Sequence, residues 1–191
     1  MRSPLVIAFS LLASGLLGGC APVIVGGAGV GVLMTEDRRT VATYLMDEEI
    51  ELKATHRTSE AKLDKVHANF TSYNRRVLIT GEAPTEALKA RVGEIARGVE
   101  NVREGEVKNE LQIAAPTSLV TRSNDVLLTT QVKAGLFNDR RINANQIKVV
   151  TENGVVFLMG IVKPTEGDAA AETASKVAGV TRVIKVFEDL R

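Results

Sequence analysis

Two histidines are the only imidazoles in the chain, and their spacing decides what chemistry they could do. His56 stands four residues before Glu60, and His67 lies eleven residues beyond His56. From such groups a mononuclear metal centre or an acid–base pair could be built. Neither histidine sits in the HExxH spacing of a metalloprotease helix, and no cysteine or second carboxylate cluster accompanies them. Their neighbours are charged and irregular, so both are expected to be solvated surface residues, with no metal bound. The string Gly26-Gly27-Ala28-Gly29-Val30-Gly31 has the glycines of a phosphate loop. It lacks the preceding strand, the ribose-binding acid and the P-loop lysine that such a loop needs. No GxSxG motif or P-loop is present. The expectation is a protein without catalysis and without a cofactor.

Cys20 is the single cysteine, so no internal disulfide can form. Arg2 gives a positive start, Leu5 to Leu17 an apolar run, and Leu17-Gly18-Gly19-Cys20 a small-residue end. This is similar to a bacterial lipoprotein signal over residues 1–19, cut before Cys20, whose sulfur and amine then carry acyl chains, palmitate among them. Ala21, rather than Asp, implies by the same resemblance export to the outer membrane. Acyl chains anchor a protein without a spanning helix. Residues 20–45 then read as a lipid-anchored tether, with Thr35 to Thr40 a charged surface turn or linker.

The elements that must position any site are organised around Val149 to Val162, VVTENGVVFLMGIV. Two apolar, β-branched-rich runs flank Glu152-Asn153-Gly154, and an Asn-Gly pair between such runs signals a hairpin. The pattern occurs earlier as NFTSYNRRVLITGEA, so that Val77 to Gly81 overlays Val156 to Gly160 at an offset of 79. The chain therefore contains two copies of one unit. In the first, the spacing predicts a helix over Met46 to Thr55, strands over Val66 to Ser72 and Arg76 to Glu82, a helix from Pro84 to about Gly98, and one strand from Glu104 to Ile113. The second repeats this order: Ser123-Asn124-Asp125 offers caps for a helix to about Asn138, the hairpin follows, Pro164 opens an Ala-rich helix that Gly179 ends, and Val180 to Phe187 is the last strand. The order is αββαβ twice, at residues 46–114 and 123–191, with a short linker at 115–122. Copies this small should pack on each other.

Without Arg2 the chain carries 23 basic and 23 acidic residues. That balance excludes the basic surface of a nucleic-acid binder. Asp47 to Ala115 holds 11 Lys and Arg against 13 Asp and Glu, and Pro116 to Arg191 holds 10 against 8. The second copy is therefore the more favourable one for an anionic partner.

Taken together, V-x-V…G-x-V-x-L-x-G, a helix ending A-x-x-V-x-G-V and a V-x-V strand resemble the BON domain, a lipid-associated module of bacterial envelope proteins. The resemblance covers both copies. It implies an α+β fold of two tandem αββαβ sandwiches, each a three-stranded mixed sheet packed on two helices. It further implies a periplasm-facing lipoprotein of the outer membrane, anionic phospholipid binding by the second module, enrichment at the division site and a role in envelope integrity.

On a wheel at 100° per residue, the helix from Asp125 to Asn138 groups Leu128, Val132 and Leu136 as core, with Leu127, Ala134 and Phe137 opposite. Leu127 and Phe137 are surplus to a single core stripe, and Lys133, Arg140 and Arg141 flank them. An apolar wedge bordered by cations suits anionic lipid; packing of the same side chains on the first module is the alternative. The candidate lipid-binding set is Leu127, Gln131, Lys133, Ala134, Phe137, Arg140, Arg141 and Gly160, with Cys20 as anchor. The same apolar face would also suit an outer-membrane protein, assembly machinery or a cell-wall component.

Overall fold

Capping fixes where the helices start. Thr40, Thr85 and Ser118 each accept, through a side-chain oxygen, the backbone N–H three residues on, which satisfies a donor the helix itself leaves unpaired. Pro164 opens the fourth helix, where its missing N–H costs nothing. The computed structural model describes residues 37–190, which belong to one compact unit. Their order is α1 (Val41–Glu60), β1 (His67–Tyr73), β2 (Arg76–Ala83), α2 (Glu86–Arg97), β3 (Val107–Asn109), β4 (Gln112–Ile113), α3 (Leu119–Asn138), a 3-10 turn (Ala144–Gln146), β5 (Ile147–Glu152), β6 (Val155–Val162), α4 (Pro164–Ser175) and β7 (Arg182–Asp189). This is α+β, the αββαβ order occurring twice.

In each copy an antiparallel hairpin pairs with a last strand that runs parallel to its second strand, β1-β2-β3 and β5-β6-β7. Alternation along the strands sends one set of side chains towards the two helices of its own copy. Phe70, Val77, Ile79 and Ala83 meet Ile50, Ala54, Val92 and Ala96 in the first core. Val149, Val156, Leu158 and Val162 meet Val132, Leu136, Ala170 and Ala174 in the second. The opposite faces of the two sheets pack on each other through Tyr73, Leu78, Val155, Phe157, Met159 and Val186. Lys148 Nζ to Glu51 (2.7 Å), Arg103 to Glu188 (2.7 Å) and Arg76 to the Phe187 carbonyl (2.7 Å) ring that contact.

Several boundaries differ from the sequence expectation, each for a physical reason. The last strand of the first copy is broken: Asn109, at a core-facing position, donates to the Lys89 carbonyl (2.8 Å) and accepts the Leu111 N–H (3.2 Å). β3 and β4 are therefore separate, though both lie parallel to β2. Helix α1 starts at Val41, inside the stretch read as tether, and runs to Glu60; α3 starts at Leu119, six residues before Asp125 and inside the stretch read as linker. Helix α4 ends at Ser175, ahead of Gly179, and β7 spans Arg182–Asp189.

The charged segment before α1 is not a free surface turn. Arg39 bonds Asp37 and Asp47, both at 2.8 Å, and its guanidinium lies 4.0 Å from the centre of the Tyr73 ring. Burial opposes the Arg39 charge, yet its hydrogen bonds to Asp37 and Asp47 outweigh this and hold its pKa above the usual arginine value. Burial, with the nearby Asp37 charge, pushes Tyr73 up to about 12. Arg38 reaches the second copy, bonding Glu166 (3.1 Å), the Ile161 carbonyl and, through its backbone N–H, Gln146 (3.0 Å). One short segment thus ties into both copies.

Candidate functional site

Helix α3 is 20 residues long, or about 30 Å at 1.5 Å per residue. Its inner side is set by Val132 and Leu136, both fully buried, with Leu128 half-buried against Gly179. Its outer side is unusually apolar. Leu127 is 61% exposed and Phe137 77%, and Leu119, Val120 and Val126 join them. Neither Leu127 nor Phe137 packs on the first module, which removes that alternative for these side chains.

Polar groups on this side are quiet. Ser123 and Thr130 return their hydroxyls to the carbonyls of Leu119 and Val126, both at 3.0 Å. Their desolvation then leaves no new unpaired donor. Ala134 and Gln131 are exposed on the same side, as is Lys133. Asp125 is the helix's one acidic residue and it is buried, so the outer side carries no carboxylate.

The apolar residues border two grooves. Leu127 and Gln131, with Thr121 and Asn124, line one of about 440 Å³ closed by the Asn153-Gly154 turn and Gly179. Phe137 and Lys133, with Ala144, Asn145 and Ile147, line another of about 290 Å³. The expected cations differ in availability. Lys133 and Arg140 have no carboxylate partner among the described residues. Arg141 is engaged by Asp139 (2.8 Å) and Glu172 (2.9 Å). Hydrogen bonds from Arg141, then from Thr173, hold the Asp139 carboxyl well below the usual range. Arg141 is thus a less available cation than its neighbours.

Gly160 stands apart from this exposed set. It is buried in β6, and a Cβ there would lie 2.3 Å from the Gln146 carbonyl oxygen. It allows a close backbone approach, as Gly81 does beside the His67 carbonyl in the first copy. Cys20 lies outside the described residues.

Sequence reasoning missed two buried carboxylates that hold the hairpins in place. Asp125 accepts the N–H groups of Asn153 and Gly154, both at 2.9 Å, so it clamps the turn and does not cap α3. Asp47 does the same for Asn74 (2.9 Å) and Arg75 (2.7 Å), and also accepts from Ser72 Oγ (2.7 Å). In both turns the two central residues have positive φ, the geometry of a type I′ hairpin. Asp47 and Asp125 stand 78 residues apart, one short of the hairpin offset of 79, and that near-repeat was the available signal. That equivalence places Glu49 where the second copy has Leu127, and α1 bears exposed Glu48, Glu49 and Glu60.

The histidines separate. His56 is exposed beside Glu60 (3.3 Å). His67, expected on the solvated surface, is instead mostly buried between the sheets, with Nδ1 3.0 Å from Glu82. Strand pairing places them there, since His67 lies directly opposite Glu82.

Comparison with known proteins agrees with the duplication. The BON domain matches residues 47–115 and again residues 124–188. The chain is 41% identical to the outer membrane lipoprotein DolP of Haemophilus influenzae over 187 residues, covering 96% of this chain and 95% of that one. It is 37% identical over 153 residues to a protein named 21 kDa hemolysin from Actinobacillus pleuropneumoniae, covering 79% and 78%. It is also 31% identical over 108 residues to osmotically-inducible protein Y of Escherichia coli K12, covering 56% and 54%. With both copies matched and one relative aligned over nearly its full length, the chain belongs to the BON-domain family, as a two-domain outer-membrane lipoprotein of the DolP kind.

Proposed function

We propose that the second BON domain docks on anionic phospholipid through the outer side of α3, while an acylated Cys20 anchors the chain to the outer membrane facing the periplasm. The protein is non-catalytic, and its lipid contact supports envelope integrity at the division site. The observation that carries this reading is a 20-residue helix whose exposed side holds Leu127, Ala134 and Phe137 and no carboxylate, with two cations that have no carboxylate partner among the described residues, Lys133 on the helix and Arg140 just past its end. Burying a large apolar side chain contributes about 1.5–3 kcal/mol, and each Lys or Arg near an anionic surface about 1 kcal/mol. Neither suffices alone against the cost of association. Together they add.

The test is flotation of the chain without residues 1–20 on vesicles of anionic or zwitterionic lipid. The native chain is expected to float with anionic vesicles, and Phe137→Glu or Leu127→Glu to stay behind at equal folded content. If the native chain does not float, direct lipid recognition is wrong and the same face belongs to an outer-membrane protein or cell-wall partner.

The charge contribution is separable. Lys133→Ala with Arg140→Ala is expected to weaken partition by about 2 kcal/mol, roughly 30-fold. Raising salt from 0.05 M to 0.5 M should weaken the native chain more than this double variant, because screening acts on the charges and not on the wedge. Arg141→Ala should change partition least of the three cations, as its charge is already matched by Asp139 and Glu172. A larger loss for Arg141→Ala than for Arg140→Ala would contradict the assignment.

A further inference from the structure

Between the two sheets lies a group of side chains that the lipid reading does not use. His67 and Glu82 face each other across β1 and β2, and Glu152 comes from the end of β5 in the other domain. One ligand atom from each lies within 4.8 Å of the others. Both carboxylates are buried, Glu82 at 2% and Glu152 at 6% exposure. Among the described residues no Lys or Arg bonds either one: Glu82 has His67 (3.0 Å), and Glu152 has the Asn69 amide (3.0 Å).

A second observation points to the same place. Thr80 is 1% exposed, and its Oγ1 has no hydrogen-bond partner among the described residues. It lies opposite Asn69 in the β1–β2 register and two residues before Glu82, so alternation puts it on the same inter-sheet face as His67, Asn69 and Glu82. Buried hydroxyls are nearly always bonded. A water carried by an ion held at His67, Glu82 and Glu152 would give this one a partner.

We propose that His67, Glu82 and Glu152 bind one divalent cation of the zinc class, with two ligands from the first domain and one from the second. An imidazole with two carboxylates is a donor set zinc accepts, leaving a fourth position for water. Ligands about 2.0–2.2 Å from a tetrahedral ion stand roughly 3.3–3.6 Å apart, so side-chain shifts of about 1 Å close the site. Asn69 orients Glu152 through its hydrogen bond, as outer partners of metal ligands do. The ion would tie the two sheets together and favour the packed arrangement of the domains.

The test uses the full chain carrying Cys20→Ser in detergent, stripped with chelator and titrated with Zn2+ alone. One ion per chain, bound saturably, and an unfolding temperature that climbs with Zn2+ concentration are expected. His67→Gln should lose both, Glu152→Gln should lose both, and His56→Gln should keep both. Asn69→Ala should bind about 10–100-fold more weakly. If His67→Gln does not fold, Glu152→Gln decides, since it keeps the shape of the side chain. Failure of the stripped native chain to bind saturably, or binding that survives both His67→Gln and Glu152→Gln, overturns the site. Flotation on anionic vesicles does not enter this test, so the lipid reading can fail without it.

Discussion

Asp47→Ala is expected to destabilise the folded chain by about 3–5 kcal/mol, because it removes one carboxylate of a buried ion pair and leaves several buried donors without their acceptor. Asp47 is 1% exposed and its two oxygens hold four donors: the Asn74 and Arg75 N–H groups, the Ser72 hydroxyl and Arg39. Alanine leaves the Arg39 side chain with Asp37 as its one remaining carboxylate, against the Tyr73 ring. It also releases a turn whose residues Asn74 and Arg75 both hold positive φ, with no glycine to ease the conformation. Asp125→Ala removes two N–H acceptors and strands no cation. Its turn contains Gly154, and Asn153 is exposed to water that can replace one bond. A smaller loss of about 2–3 kcal/mol follows. Urea denaturation followed by circular dichroism compares the two. Equal losses would mean that Arg39 contributes nothing through Asp47.

The same pair of aspartates shows what the sequence could and could not disclose. The αββαβ order was legible twice, because the hairpins carry long β-branched runs and the second one an Asn-Gly turn. Val132 and Leu136 were legible as core because helical spacing groups them. The start of α3 was not, since Leu119 to Asn124 place no apolar residue on the core side, and the Ser-Asn-Asp run imitates a cap. With the start misplaced, Asp125 read as an end residue when it is a mid-helix clamp, and Leu119 and Val120 dropped out of the exposed face. The wedge itself, Leu127 and Phe137, was legible as surplus hydrophobicity. The split among the cations was not, because the pairing of Arg141 with Glu172 joins α4 to the end of α3 across 31 residues. His67 was misplaced for a related reason: polar neighbours in sequence say nothing about a strand face covered by a second domain.

Gly81→Ala and Gly160→Ala are the other pair with large expected effects, and they separate packing from binding. At Gly81, φ is +111° and a Cβ would lie 2.1 Å from the His67 carbonyl oxygen. The conformation costs about 1–3 kcal/mol for a residue with a side chain, and relieving the contact about 1–3 kcal/mol more. Gly160 carries the contact cost without the left-handed backbone, so about 1–3 kcal/mol is expected there. The obstacle at each is main chain, which cannot rotate aside as a side chain does. Gln146 would have to move at Gly160, and it is tied to Tyr73 through its carbonyl (3.3 Å) and to Arg38 through its amide oxygen (3.0 Å). Displacing it therefore loosens the contact between the domains. Thermal unfolding should rank Gly81→Ala below Gly160→Ala, and both below the native chain. Vesicle flotation per folded molecule should be unchanged in Gly160→Ala, because the position is buried and the outer side of α3 is untouched. Weaker flotation at equal folded content would instead give Gly160 a direct part in holding lipid.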